Sequence, residues 1–138
     1  MRLRSIILFE RLLILAIAID LVVNLSSWSA FPAQLAVRGL PASPEIILAL
    51  CLLSPALGAL FVILVARRAS NIARWILTVL VALGALGFVA VLATNPAAAA
   101  TPLFAATALS ELLKVAAVTR LFTADAVPWF HRPKPLAQ

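Results

Sequence analysis

Long apolar runs separated by short polar stretches dominate the pattern of this 138-residue chain. Four runs, over about residues 6–30, 45–66, 74–94 and 103–124, are each long enough for a helix that crosses the hydrocarbon core of a bilayer, which takes about 20 residues. Because 64% of the residues are hydrophobic, 12% are charged and the mean hydropathy is +1.13, a water-soluble fold would expose large apolar patches. The pattern therefore predicts a single all-α integral membrane domain.

The connections between the runs are short and carry start signals for helices. Residues 31–44 are rich in proline and glycine and are predicted to form a loop. At its end, Ser43, Pro44 and Glu45 supply an N-cap, a proline at the first helical position and an acid in the first turn. Residues 126–138 are predicted to be a cytoplasmic tail. Short connections favour antiparallel neighbours, so we expect an up-down-up-down four-helix bundle.

Positive charge is concentrated at one end of the predicted bundle. The positive-inside rule then places both termini in the cytoplasm, with Arg38 alone on the other side. An Ala- and Leu-rich composition with more Arg than Lys is typical of GC-rich bacterial genomes, so the predicted location is the bacterial inner (cytoplasmic) membrane. The residues expected at the cytoplasmic end are Arg2, Arg4, Arg67, Arg68, Arg74, Arg132 and Lys134, with Trp75 and Trp129 at the membrane interface.

The first run has the basic start of a signal peptide, but charged residues interrupt it. A cleavable segment is normally uncharged and shorter, so we expect a retained transmembrane helix. Its polar residues follow the spacing of one helix face. This face either packs against other helices or lines a polar pathway. Its members are Glu10, Leu13, Ile17, Asp20 and Asn24.

The fourth run carries charges near its middle. Charges at that depth cost about 2.5–3.5 kcal/mol each on insertion scales, so they normally face protein or water. A rise of about 1.5 Å per residue puts Asp20 at a depth similar to that of Glu111 and Lys114. Two carboxylates and one lysine in a low dielectric cannot all be charged comfortably, which fits a proton carrier and also a static structural network. The predicted buried polar network is Asp20, Asn24, Ser110, Glu111 and Lys114, with Thr107 as a further hydrogen-bonding residue.

The second run contains Pro55 near its middle. A proline there removes one backbone hydrogen bond and predicts a helix kink, and a neighbouring helix must satisfy the freed carbonyl. Gly58, one turn later, permits another helix to approach closely. Cys51, the single cysteine, is predicted to be a small packing residue.

Several function classes lack their motifs in this chain. There is no Gly-rich phosphate loop, no Cys or His spacing for a metal and no Ser-His-Asp set, and the single histidine is His131. The basic residues flank apolar runs and form no stripe with interleaved aromatics, so nucleic-acid binding is not expected. We therefore predict neither an enzyme nor a metal site, and the sequence implies no cofactor.

Two segments, RRASNIARWILTVL (67–80) and LFTADAVPWF (121–130), resemble parts of uncharacterised small four-span proteins of proteobacterial inner membranes. In those proteins the turn between the second and third helices often has the pattern R-R-x-S-x-x-A-R/K-W. The last helix often ends in L-F-T-x-x-x-x-x-W-F. The resemblance implies the topology and the bacterial location. The family has no assigned activity, so no functional residues carry over.

Two hypotheses for the function follow. The first is a small accessory or scaffold subunit, whose polar face closes the bundle or docks a larger membrane complex. The alternative is a proton- or cation-coupled carrier of a small solute that acts as a homo-oligomer, because four helices barely enclose a path. The expected partners are the lipid bilayer and either other membrane subunits or a second copy of the chain.

Overall fold

The computed structural model of the chain describes residues 4–37 and 39–130. Five charged or titratable residues whose locations the sequence predicts lie outside the described residues, namely Arg2, Arg38, His131, Arg132 and Lys134. Within the described ranges the chain is helical and contains no β-strand, which confirms the all-α prediction.

Six α-helices follow one another along the described chain. A π-helical turn, Ile63–Arg67, extends the third, and short 3-10 turns at Trp28–Ala30 and Pro96–Ala100 flank the second and fifth. Residues 31–37 form a helix, although the sequence predicts a loop there. The helices are α1 Arg4–Ser26, α2 Phe31–Val37, α3 Pro44–Val62, α4 Asn71–Thr94, α5 Pro102–Arg120 and α6 Val127–Phe130.

Hydroxyl side chains cap three of the long helices. Ser43 accepts a hydrogen bond from the Ile46 N–H at the start of α3, as its sequence predicts. Ser70 and Thr101 accept equivalent bonds at the starts of α4 and α5. Each cap satisfies one of the backbone donors that a helix leaves open at its N-terminus.

Within the described residues, three helices are long and apolar enough to cross a membrane: α3 with its π-helical turn, α4 and α5. In each of them less than a quarter of the residues in the apolar window are buried inside the bundle. Helix α1 is 23 residues long but carries Glu10, Arg11 and Asp20, which exclude it from this group. So much outward apolar surface is expected of a protein whose solvent is lipid.

The long helices pack in the order α3, α1, α5 and α4. Helix α1 lies along α5 and α3, and α5 lies along α4, whereas α3 and α4 barely touch apart from their connecting turn. The main core fills the bundle at the end that holds this turn, and it includes Phe9, Val65, Leu121 and Trp129. At the other end a small second core joins α2 to α3. The bundle is therefore closed at one end and open along the gap between α3 and α4.

The segment after α5 packs into the main core. The sequence assigns residues from 126 onward to a cytoplasmic tail, but Ala126 is fully buried and Trp129 is 8% exposed. Helix α6 therefore belongs to the bundle: Trp129 contacts Val65 of the π-helical turn, and Phe130 packs against Arg74 of α4.

Candidate functional site

Helices α1 and α5 bring three charged side chains together, and we call these the triad: Asp20, Glu111 and Lys114. Lys114 Nζ lies 2.9 Å from Asp20 Oδ2 and 2.8 Å from Glu111 Oε1. The sequence predicts this meeting from the similar depth of Asp20 and Glu111 and from the spacing of Glu111 and Lys114. Each side chain is less than one-fifth exposed.

Ser110 attaches the triad to the backbone of α1. Its side chain is fully buried, and its hydroxyl donates a hydrogen bond to Asp20 Oδ1. The same oxygen lies 3.2 Å from the carbonyl oxygen of Ala16. Both oxygens of Asp20 therefore face a donor, Ser110 on one side and Lys114 on the other.

Glu111 differs from Asp20 in the use of its two oxygens. Oε1 accepts from Lys114, whereas Oε2 is buried and has no hydrogen-bond partner among the described residues. Oε2 faces Gly84 of α4, where an added Cβ would lie 3.5 Å from it. One acceptor of the triad is thus unused, at a place where α4 has no side chain to cover it.

The formal charges of the triad do not cancel. Two carboxylates and one ammonium sum to −1 when all three are ionised. A net charge in a low dielectric is costly unless a further positive charge or proton joins it. The arrangement is therefore suited to taking up a proton or another cation.

The triad lies on the wall of a cavity of about 420 Å³ in the gap between α3 and α4. Leucines of α3 and α4 form much of the remaining wall, together with Ser54 and Gly58. A second cavity, of about 510 Å³, lies between α4 and α5, toward the end of the bundle opposite the turn that connects α3 and α4. Gly84 and Glu111 line both cavities, so the free side of Glu111 stands between them.

Asn24 and Thr107, which the sequence predicts near the triad, donate hydrogen bonds to backbone carbonyls instead. Asn24 Nδ2 donates to the carbonyl oxygen of Cys51, 3.2 Å away. That carbonyl would pair with the amide of residue 55 in a regular helix, but Pro55 has no N–H. Asn24 therefore compensates for the proline of α3, and Thr107 bonds within its own helix.

The backbone hydrogen bond that Pro55 removes lies inside a continuous helix. Residues Pro44–Val62 stay helical through the proline, which is the predicted kink position. Gly58 then allows α1 to come close, because a Cβ there would lie 2.7 Å from the side chain of Ile17. Asn24 and Ile17 thus both fix the contact between α1 and α3.

Arg74, whose sequence context predicts a residue at the cytoplasmic membrane interface, is buried. It is 9% exposed, and its guanidinium carbon lies 4.7 Å from the ring centres of both Phe122 and Phe130. Its Nη1 donates to the Leu121 carbonyl at 3.5 Å. The aromatic rings, distant in sequence, offer a buried cation an alternative to water.

Trp129, which the sequence predicts at the membrane interface, is likewise buried in the bundle. Its indole N–H donates to the carbonyl oxygen of Val65 in the π-helical turn, 3.3 Å away. Among the other predicted interface residues, Arg67 and Arg68 are exposed, and Trp75 is half exposed with its ring against Phe122. The partner of Arg67 is Glu10 of α1, at 3.7 Å.

Ser5 and Asp125 form a contact that the sequence gives no reason to expect. The Ser5 hydroxyl lies 2.6 and 2.7 Å from the two carboxylate oxygens of Asp125, and Thr123 donates to Ser5 at 2.9 Å. Hydrogen bonds from Ser5 and Thr123 lower the pKa of Asp125. The segment after α5 is therefore tied to the start of α1.

No protein-family model, curated protein or solved structure matches the chain. The resemblance of residues 67–80 and 121–130 to small proteobacterial membrane proteins therefore stays a prediction. In the structure these two segments contact each other, through Arg74, Trp75 and Phe122.

Proposed function

We propose that the chain crosses the bilayer four times, with α1 as the additional span. Two of the three charges that exclude α1 on composition have partners on other helices: Glu10 with Arg67, and Asp20 with Lys114. Large apolar residues of α1, such as Ile14 and Val22, are more than half exposed and suit lipid. Paired charges that face protein are the form in which charges occur inside membranes.

The proposed topology has both termini in the cytoplasm of a bacterial cell. Arg4, Arg67, Arg68 and Arg120 lie at the closed end of the bundle, which the positive-inside rule assigns to the cytoplasm. Single cysteines introduced by Arg68→Cys and Ala99→Cys in a Cys51→Ser chain test this topology. An impermeant maleimide added to intact spheroplasts should label residue 99 and spare residue 68. Labelling of residue 68 instead would contradict it.

The function that the geometry supports best is a proton- or cation-coupled carrier of a small solute. The observation that carries this proposal is Glu111 Oε2, an unpaired acceptor between two cavities in a triad with excess negative charge. A network that served only to hold helices together would be expected to satisfy all of its buried oxygens. A group that alternates between proton and solute needs a free position of this kind.

Proteoliposomes with an internal pH-sensitive dye test the carrier proposal. After an imposed pH gradient, small amines and alkali cations are added one at a time outside. We expect at least one of them to dissipate the gradient through the wild-type protein and not through Glu111→Gln. If every addition gives the rate of empty liposomes, the protein is no carrier of this kind.

The accessory-subunit hypothesis remains the second candidate because of the open gap between α3 and α4. Leu53 and Leu80 line this gap, and a transmembrane helix of a partner could fill it. Mild solubilisation followed by native mass spectrometry separates the two functions. A stable complex with a different subunit favours the accessory role, whereas a homo-oligomer or a single chain favours the carrier.

A further inference from the structure

The cavity between α3 and α4 has a mostly apolar wall with one charged region. Its volume, about 420 Å³, falls within the range of small-molecule sites. Leu53, Leu57 and Leu80 line it on α3 and α4, and the triad supplies the polar part of its wall. Because α3 and α4 are barely in contact, the cavity opens sideways, toward the space that lipid occupies in a membrane. A ligand that fits is amphipathic and enters from the bilayer.

The unused position of the triad sets the charge of that ligand. Ser110 and Lys114 occupy the two oxygens of Asp20, and Lys114 also occupies Glu111 Oε1. Of the four carboxylate oxygens of the triad, Glu111 Oε2 is the one without a hydrogen-bond partner among the described residues. An anionic or purely accepting headgroup would meet two carboxylates, whereas a donor with positive charge completes both the hydrogen bonds and the charge balance.

We propose that this cavity binds a lipophilic ammonium ion, with an N–H directed at Glu111 Oε2 and the apolar body against the leucines of α3 and α4. The proposal rests on the proposed carrier function, for which it names the class of substrate. Gly84 is part of the site, because the lack of a side chain there leaves Oε2 open toward α4. A larger residue at position 84 would cover this oxygen.

Octylammonium is the probe, with octanol and octanoate as controls that share its apolar chain. Binding to the purified protein in nanodiscs is measured by calorimetry against empty nanodiscs, so that partition into lipid is subtracted. We expect octylammonium to bind at least about tenfold more tightly than either control, as a charge-assisted hydrogen bond provides. Equal binding of all three compounds would refute the site.

Three variants locate the site. Glu111→Gln keeps the size of the side chain, removes its charge and should weaken octylammonium binding by about 10- to 100-fold. Gly84→Leu should do the same by covering Glu111 Oε2, while all three triad residues keep their identity. Gly87→Leu is the matched control, because an added Cβ at position 87 meets nothing within 4 Å. Unchanged affinity in Gly84→Leu, or equal loss in both glycine variants, would overturn the assignment.

The outcomes separate this proposal from the carrier function. If octylammonium binds at Glu111 but dissipates the pH gradient no faster in proteoliposomes than in empty liposomes, the site stands and the carrier function fails. If another cation drives the pH change while octylammonium does not bind, the carrier stands and the ligand class is wrong.

Discussion

The hydrogen bond from Asn24 to the Cys51 carbonyl makes a prediction that two substitutions can test. Replacing Asn24 with leucine removes the donor and leaves the carbonyl that Pro55 frees without a partner. Interhelical hydrogen bonds in membrane proteins average about 0.6 kcal/mol and reach about 1.7 kcal/mol. An unsatisfied buried acceptor costs about 1–3 kcal/mol. We therefore expect Asn24→Leu to lower the free energy of unfolding by about 1–2 kcal/mol.

The same substitution should cost much less when Pro55 is replaced by alanine. Alanine at position 55 supplies an amide N–H to the Cys51 carbonyl within α3, so Asn24 is no longer needed there. The two changes together should therefore show a coupling of about 1 kcal/mol. The free energies follow from equilibrium unfolding in mixed micelles, monitored by tryptophan fluorescence for all four proteins. An equal cost of Asn24→Leu in both backgrounds would refute the compensation between Asn24 and Pro55.

Three further predictions concern the closed end of the bundle. Hydrogen bonds lower the pKa of Asp125 below its ordinary value of 3.8, so they stabilise the fold above that value and the effect is lost as pH falls through the lowered pKa. Wild type should therefore be more stable than Asp125→Asn at pH 7, and the difference should shrink in acid. Trp129→Phe keeps an aromatic ring but leaves the Val65 carbonyl unpaired, and it should lower the free energy of unfolding by about 1–3 kcal/mol. Ala69→Gly should raise the free energy of unfolding by up to about 1 kcal/mol, because Ala69 has a φ of 50°.

Each of these predictions has a control or a contrary result. A constant gap between wild type and Asp125→Asn from pH 7 into acid would show that the carboxylate is not the stabilising form. Trp75→Phe is the control for Trp129, since Trp75 is 53% exposed and should cost less than about 1 kcal/mol. Destabilisation by Ala69→Gly would mean that the alanine side chain contributes more than its backbone strain costs.

Much of the helical pattern is readable from hydrophobicity and capping residues. Ser43 and Pro44 mark the start of α3 because their signals are local. The meeting of Asp20 with Glu111 and Lys114 is also readable, because depth in a membrane follows from counting residues along a helix. Capping signals and depth along a helix both depend only on the order and number of residues, so they can be read from the sequence.

Contacts that depend on how two helices face each other are not readable in this way. Asn24 shares a face with Asp20 and lies one turn further along α1, yet its amide bonds to α3, because its direction depends on the packing of α1 against both neighbours. Arg74 and Trp129 have the sequence context of interfacial residues. Their burial requires the chain after α5 to fold back, which no local signal of residues 121–130 announces. The missing N–H of Pro55 was the one signal that could have identified the partner of Asn24.

The links between α1 and α5 have a consequence for how the protein is made. Helix α1 leaves the ribosome before α5, while its partners Ser110, Lys114 and Asp125 belong to the last part of the described chain. In the proposed four-span topology, Asp20 has no cation beside it until they arrive, and a lone charge inside the bilayer costs about 2.5–3.5 kcal/mol. We therefore expect the insertion machinery to hold α1 in an incomplete state through most of translation. A chain that stops before α5 should leave its first helix at the membrane surface, where quality-control proteases can reach it.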